Sequence, residues 1–355
     1  MNNIHQIAHQ FNIDSEVNQV SDLNSGFIND TYLVKTTSGS KYVLQRISTV
    51  VFKDVENVIR NKVLISEHLS KSQTNYKIVR FIKTHSDGAF FKDEDSNYWN
   101  LMTFIPDSIT HDVATNSGLV EEAGKLYGDF IIQAADLDMD KLVETLPDFH
   151  SIPLRYQQFD EALKNTKEET KLNAKEDIDF VFNCRKEMHE LSELKVQNKF
   201  PIRVTHNDAK LGNILFDKND KGLAVIDLDT VMPGIVAFDF GDSIRSICTT
   251  TAEDDTNLEA TKINLEFYEA FCKGFAATTK HILTPLEIKY LPLGAKTITF
   301  IMGLRILTDY LNNNVYYKVD YETHNLVRAK NQFKLVKSIQ ENYKTMQQIT
   351  EKVFA

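Results

Sequence analysis

The chain has 355 residues, enough for two lobes that each bury a core. With 42% hydrophobic and 25% charged residues it reads as an ordinary soluble protein, and a formal net charge of -10 argues against nucleic acid or a membrane surface as its main partner. Cys184, Cys248 and Cys272 are too scattered for a disulfide framework or a thiolate metal site, MNNIHQIAHQF does not read as a signal peptide, and no run reaches the roughly 18 apolar residues of a membrane span; a reducing, cytoplasmic setting is expected.

A short helix is expected over residues 4–13, followed by a loop, SGFIND, and a β-hairpin in which TYLVK and KYVLQRI flank the turn TSGS. Residues 54–69 carry apolar side chains at helical spacing (Val55, Val58, Ile59, Leu64, Ile65), and KIVRF (77–81) and SNYWNLMTFIP (96–106) read as strands. From Ser117, which is placed to cap a helix reaching residue 135, the chain becomes mainly helical. The charged segment 161–177 reads as a solvated face or connector, and long helices are expected over 262–279, 285–315 and 327–352. The fold class is thus α+β, with a β-rich part over 1–105 and a larger helical part over 106–355.

Chemistry concentrates in THNDAKLGNILF (205–216) and AVIDLDTVMPGIVAFDFGDSIR (224–245). Asp208 and Asn213 lie five apart across a glycine, so the chain must bend for them to face one site. AVIDLDT reads as a strand, which would set Asp227 and Asp229 on one side. Carboxylates on an apolar strand need a positive partner. Hard oxygen donors without cysteine favour Mg²⁺ over Zn²⁺, and Mg²⁺ usually shares its coordination sphere with substrate phosphates. The ligand implied is a nucleoside triphosphate, with Asn213 and Asp227 on the metal and Asp208 accepting a proton from an attacking hydroxyl.

HNDAKLGNILFD followed by VIDLDT resembles the HxDxxxxN and IxD signature of the aminoglycoside phosphotransferase and choline kinase superfamily, which has a protein-kinase-like bilobal fold. The longer runs NDTYLV, YVLQRI, VIDLDTVMPG, DFGDSIR, GLRILTDYLNNNVYY and HNLVRAKNQFKLVKSI are similar to N-acetylhexosamine 1-kinases, from about residue 24 to 342. The resemblance implies Asp208 as catalytic base, Asn213 and Asp227 as Mg²⁺ ligands, and Met102, Thr103 and Phe104 as the segment receiving adenine. It also implies transfer of the ATP γ-phosphate to the anomeric hydroxyl of N-acetylglucosamine or N-acetylgalactosamine.

One departure stands out. Such enzymes commonly pair a basic residue on the third strand with a Glu on the next helix, whereas here the matching positions read as Gln45, with Arg46 beside it, and Asn61. A neutral pair does not clamp phosphate as charged groups do. Asn29 and Thr31 are further candidate phosphate contacts. For the acceptor sugar the candidates are His150, Arg155, Asp229, Arg305, Asp309 and Tyr317; Arg305 is conspicuous because a guanidinium within ITFIMGLRIL needs an acid or a ligand. The competing readings are a related kinase of another sugar, an aminoglycoside or an amino alcohol, and a catalytically silent nucleotide-binding protein.

Overall fold

A computed structural model of the protein describes residues 4–23, 28–72 and 76–355. Ser25, Gly26 and Phe27 of the expected SGFIND loop lie outside this range. The fold is α+β and divides into two compact units: residues 1–109, 133–147 and 215–233, and residues 110–132, 148–214 and 234–355.

The first unit is built on an antiparallel sheet of β1 (Val17–Asp22), β2 (Asp30–Thr36), β3 (Lys41–Ile47), β4 (Phe81–Ile82), β5 (Phe91–Lys92) and β6 (Tyr98–Thr103), in the order β1-β2-β3-β6-β4 with β5 also on β6. The hairpin turns at TSGS, where Gly39 takes a left-handed φ of 91°, a conformation glycine adopts without steric cost. Register places Thr31 opposite Gln45 and Asp30 opposite Arg46. One sheet face joins α1 (Ile4–Ala8) through Ile7, Ala8, Phe11, Val34, Leu44, Trp99 and Leu101. A second cluster seats α2 (Val55–Leu69) with Ile47, Phe52, Val55, Val58 and Ile59, and the Asp54 side chain caps that helix by accepting from the Asn57 N–H.

Two strand expectations change. KIVRF contributes only Phe81 to β4, because the Lys77 N–H turns instead to the Leu223 carbonyl at 2.7 Å. β1 carries little period-2 signal, since Val17 and Val20 stand among polar residues, and sequence reading missed it.

The second unit is mainly helical: α3 (Ser117–Gln133), α4 (Ile152–Asn165), α5 (Glu168–Asn173), α6 (Lys175–Met188), α7 (Glu190–Val196), α8 (Val236–Ile247), α9 (Leu265–Thr279), α10 (Pro285–Leu311) and α11 (His324–Phe354). The charged 161–177 segment is the connection from α4 through α5 into α6. Asn116, not Ser117, caps α3: its Oδ1 accepts from the Leu119 N–H, while the Ser117 hydroxyl goes to Glu266. α10 is held at its start by a capping box between Thr284 and Glu287 and packs against α4, α8 and α11. It is long and apolar enough to cross a membrane, yet 83% of its most apolar window is buried inside the protein, as in a core helix. Between the helices, β7 (Arg203–Thr205) and β8 (Ile214–Phe216) bracket the first motif, and β9 (Gly222–Val225) pairs with β8 before the second.

Candidate active site

In the second unit the loop after β7 carries Asp208. Asn207, just before it, takes a left-handed φ of 63°, and a 3-10 turn at Leu211–Asn213 completes the bend. Gly212 contributes no special conformation, since a Cβ there would meet nothing within 4 Å. The bend is imposed from outside the motif. On α8, Asp239 accepts the backbone N–H of His206 (2.6 Å) and of Asn207 (2.7 Å), and one turn on, the Ser243 hydroxyl donates to the Ala209 carbonyl (2.8 Å). From α3, the Tyr127 hydroxyl donates to the Lys210 carbonyl at 2.7 Å. His206 is fully buried, edge-on to Tyr127 and Phe130, and so belongs to the loop's support.

The Asp208 carboxylate receives the Asn213 amide and the Lys210 ammonium, each at 2.8 Å. Burial works to raise its pKa, but Lys210, His206 and Asn213 together hold it below the usual carboxylate value. Asn213 is buried and uses its NH₂ on Asp208, which leaves its carbonyl oxygen as the atom a hard cation would take. Burial pushes the Asp239 carboxyl up to about 6, with His206 and the two accepted N–H groups offsetting part of the rise.

The same unit holds five of the expected acceptor residues, His150, Arg155, Arg305, Asp309 and Tyr317. The His150 ring lies 4.6 Å from Phe149 and 5.1 Å from Phe238 between centroids, and the Asn207 backbone, next to Asp208, faces it. Arg305 stacks over Phe149 (5.3 Å) and Tyr317 (5.9 Å), and it donates to the Met302 sulfur. Arg155 donates to the Phe149 carbonyl and to Gln158. Neither guanidinium has an ion pair among the described residues, and Asp148 acts on Arg155 only at longer range. Among the described residues the Arg155 Nε and the Tyr317 hydroxyl are buried without a hydrogen-bond partner, and the His150 nitrogens are buried with only the Asn207 backbone acting on the ring. Burial, then Arg305 and Arg155, push His150 down to about 3, so its ring is neutral; burial and Arg305 push Arg155 down to about 10. Both Asp309 oxygens are taken up within the chain: they accept the N–H groups of Tyr316 (2.8 Å) and Tyr317 (3.0 Å) and the Asn325 amide (2.9 Å), which fixes Tyr317 in place.

In the first unit the second motif departs from its expected form. β9 ends at Val225, Asp227 takes a left-handed φ of 62°, and Leu228–Thr230 form a 3-10 turn, so Asp227 and Asp229 are not neighbours on one strand face. Asp tolerates this conformation better than most residues, and such backbone strain concentrates at functional sites. Asp229 is buried, where it pairs with Lys62 of α2 and accepts the Asn29 amide; Asn29 in turn accepts the Ser48 N–H at 2.9 Å. The expected neutral pair of Gln45 and Asn61 is not formed. Asn61 binds backbone groups of Val143 and Val231, and Gln45 meets Lys62, whose Nζ donates to its Oε1 at 2.8 Å. Arg46 points away from Gln45, half-exposed, to Asp30 and the Trp99 ring.

Near the end of β6, Met102 packs with Val79, Ile105, Leu215, Leu223, Ala224 and Ile226 into an apolar floor. The Thr103 and Phe104 N–H groups donate to the Arg80 and Lys41 carbonyls. Thr31 is half-buried beside Gln45. Among the described residues no group of three or more His, Cys, Asp or Glu side chains is arranged to hold a metal ion.

The sequence profile of the Phosphotransferase enzyme family (APH) matches residues 19–275. The chain belongs to this family. Solved structures give the same fold. The amicoumacin kinase hAmiN, in complex with AMP-PNP, Ca²⁺ and Ami, is 14% identical with a TM-score of 0.63 over 93% of this chain and 92% of that one. A microcompartment-associated aminopropanol kinase is 12% identical with a TM-score of 0.62 over 97% of each. Choline kinase from Cryptosporidium parvum is 14% identical with a TM-score of 0.59 over 99% of each. Family membership makes the chain a phosphotransferase, and its fold is protein-kinase-like, with a β-sheet unit and a helical unit.

Sequence reading missed two residues of this region. Lys62 continues the inward stripe of α2, three to four residues from Val58, Ile59 and Ile65, and a charge on an apolar stripe is a legible signal. Asp239 and Asp242 in FDFGDSIR read as residues that cap a helix or pair with Arg245; Asp242 does pair with Arg245, whereas Asp239 lies in the first turn of α8 and accepts the His206 and Asn207 N–H groups.

Proposed function

We propose that the protein transfers the γ-phosphate of ATP to a hydroxyl of a neutral, oxygen-rich small molecule, with the anomeric hydroxyl of an N-acetylhexosamine as the acceptor. Residues 1–105 would serve chiefly the nucleotide and 106–355 catalysis and the acceptor. Adenine would lie on the apolar floor at Met102, beside Thr103 and Phe104. Asn213 and Asp227 would hold Mg²⁺, which supplies charge neutralisation to the phosphates when bound.

Asp208 carries the proton step. Its Oδ accepts the proton of the acceptor hydroxyl as that oxygen bonds to the γ-phosphorus, the bond to the β,γ-bridging oxygen breaks, and ADP leaves. A carboxylate held below its usual pKa is a weak base. That suits an anomeric hydroxyl, which is more acidic than an ordinary alcohol, and leaves most of the rate to positioning.

The observation that carries the acceptor reading is the character of the His150, Arg155, Arg305 and Tyr317 cluster. It offers two guanidiniums, a neutral imidazole, a phenol and the Phe149 ring, with buried polar atoms awaiting partners. Sugar hydroxyls and an acetamide carbonyl satisfy such groups, while an ammonium would meet like charge. The relatives named for choline, aminopropanol and Ami are kinases of small molecules, which supports phosphotransfer to a small molecule in general, and the two guanidiniums of the cluster support a neutral acceptor over an amine.

An acceptor panel followed by ADP release tests this. Turnover is expected with N-acetylglucosamine or N-acetylgalactosamine and not with choline or ethanolamine. Arg305→Met is expected to raise the KM for the sugar roughly ten- to hundredfold with the KM for ATP unchanged. Preference for an amine acceptor would overturn the reading.

A further inference from the structure

We propose that Lys62, delivered from helix α2 instead of the sheet, is the cation that holds the nucleotide's polyphosphate in this chain. The inference rests on the nucleotide-binding reading and names the residue that answers its missing charge. Lys62 is 1% exposed, on a mostly apolar helix face shared with Val55, Val58, Ile59, Ile65, Leu69 and the buried Ser66. An apolar residue would fill that position at no electrostatic cost, whereas a buried ammonium costs several kcal/mol unless it is paired.

The ammonium is placed where four elements converge. It donates to Gln45 of β3 at 2.8 Å, pairs with Asp229 in the turn after β9, and stands 5.5 Å from the Phe81 ring of β4. Asn29, at the start of β2, closes the set by donating to Asp229. The basic residue that the sheet itself offers beside Gln45 is committed elsewhere, because Arg46 turns to Asp30. Lys62 therefore occupies the place of the strand-borne charge from the opposite side, with Gln45 orienting it. Asp229 is the one carboxylate paired with this ammonium among the described residues, and a bound polyphosphate would share Lys62 with it.

A merely structural ion pair, pinning α2 to the Asp227 turn, is the competing explanation. Calorimetric titration separates the two. The wild type, Lys62→Gln, which keeps a polar side chain without the charge, and Lys62→Arg are each titrated with AMP-PNP plus Mg²⁺ and, separately, with adenosine. Lys62→Gln is expected to weaken AMP-PNP binding roughly ten- to hundredfold while adenosine changes less than about twofold, and Lys62→Arg to recover part of the loss. Equal weakening of both ligands, or of neither, would overturn the proposal. If Lys62→Gln fails to fold, the ratio of the two affinities in Lys62→Arg decides in its place: a selective loss for AMP-PNP supports the proposal, and an unchanged ratio overturns it. A wild type that binds neither ligand would remove the nucleotide reading itself, whereas AMP-PNP binding unaffected by Lys62 would remove only this inference.

Discussion

At the level of single residues, the carboxylate at Asp208 is a product of its neighbours. Asn207 in a left-handed conformation turns the backbone, and Asp239 holds that turn by accepting two consecutive N–H groups from inside α8. The strong burial of Asp239 sets a pH dependence whose sign is fixed. Its folded pKa, about 6, lies above the ordinary 3.8, so its contribution to stability is fully present below about pH 3.8 and is lost as pH rises through 6. Urea unfolding of the wild type and of Asp239→Asn is therefore expected to show the stability of the wild type relative to the variant shrinking by on the order of 3 kcal/mol between about pH 4 and pH 7. A difference that stays constant across this range would mean that Asp239 does not titrate there.

At the level of elements, the site depends on α8, and α8 depends on α10. Gly241 of α8 and Gly294 of α10 lie against each other's helix so closely that a Cβ at Gly294 would fall onto the Ala237 carbonyl. Both elements are thus fixed by backbone contact, which no side-chain adjustment relieves. Gly294→Ala is expected to destabilise the protein by about 1–3 kcal/mol and to lower activity more than Gly128→Ala, whose Cβ meets chiefly threonine side chains, at equal loss of stability. Equal effects on activity would argue that the α8–α10 contact serves the core alone. Helices of this kind were legible in the sequence because apolar spacing survives over many turns: α2, α9, α10 and α11 lie close to where periodicity puts them. The Asp227 segment was not. AVIDLDT alternates like a strand, and that alternation does not reveal the left-handed turn at Asp227.

At the level of the whole molecule, the chain keeps one formal chemistry in two separately built units, and each reveals its logic by what it does with buried charge. In the sheet unit, buried charge is paired, Lys62 with Asp229. In the helical unit, Arg245 pairs with Asp242 and Glu253, and Arg328 with Glu253, while the half-buried Arg155 and Arg305 have no ion pair among the described residues. The sequence draws attention to Asp208, Asn213 and Asp227 because they sit in short, dense signatures. Lys62 was legible as a charge on the apolar stripe of α2, but its partners, 17 and 167 positions away, and those of Asp239 and Asp309 became readable only with the fold.

The measurement that bears most directly on the central claim is the phosphorus NMR spectrum of a reaction of ATP, Mg²⁺ and N-acetylglucosamine or N-acetylgalactosamine, run with wild type and with Asp208→Asn. The account predicts ADP and an anomeric sugar phosphate, with the rate in the variant reduced on the order of 10²–10⁴-fold while nucleotide affinity is retained. A phosphate on another hydroxyl, or a variant as active as the wild type, would contradict it.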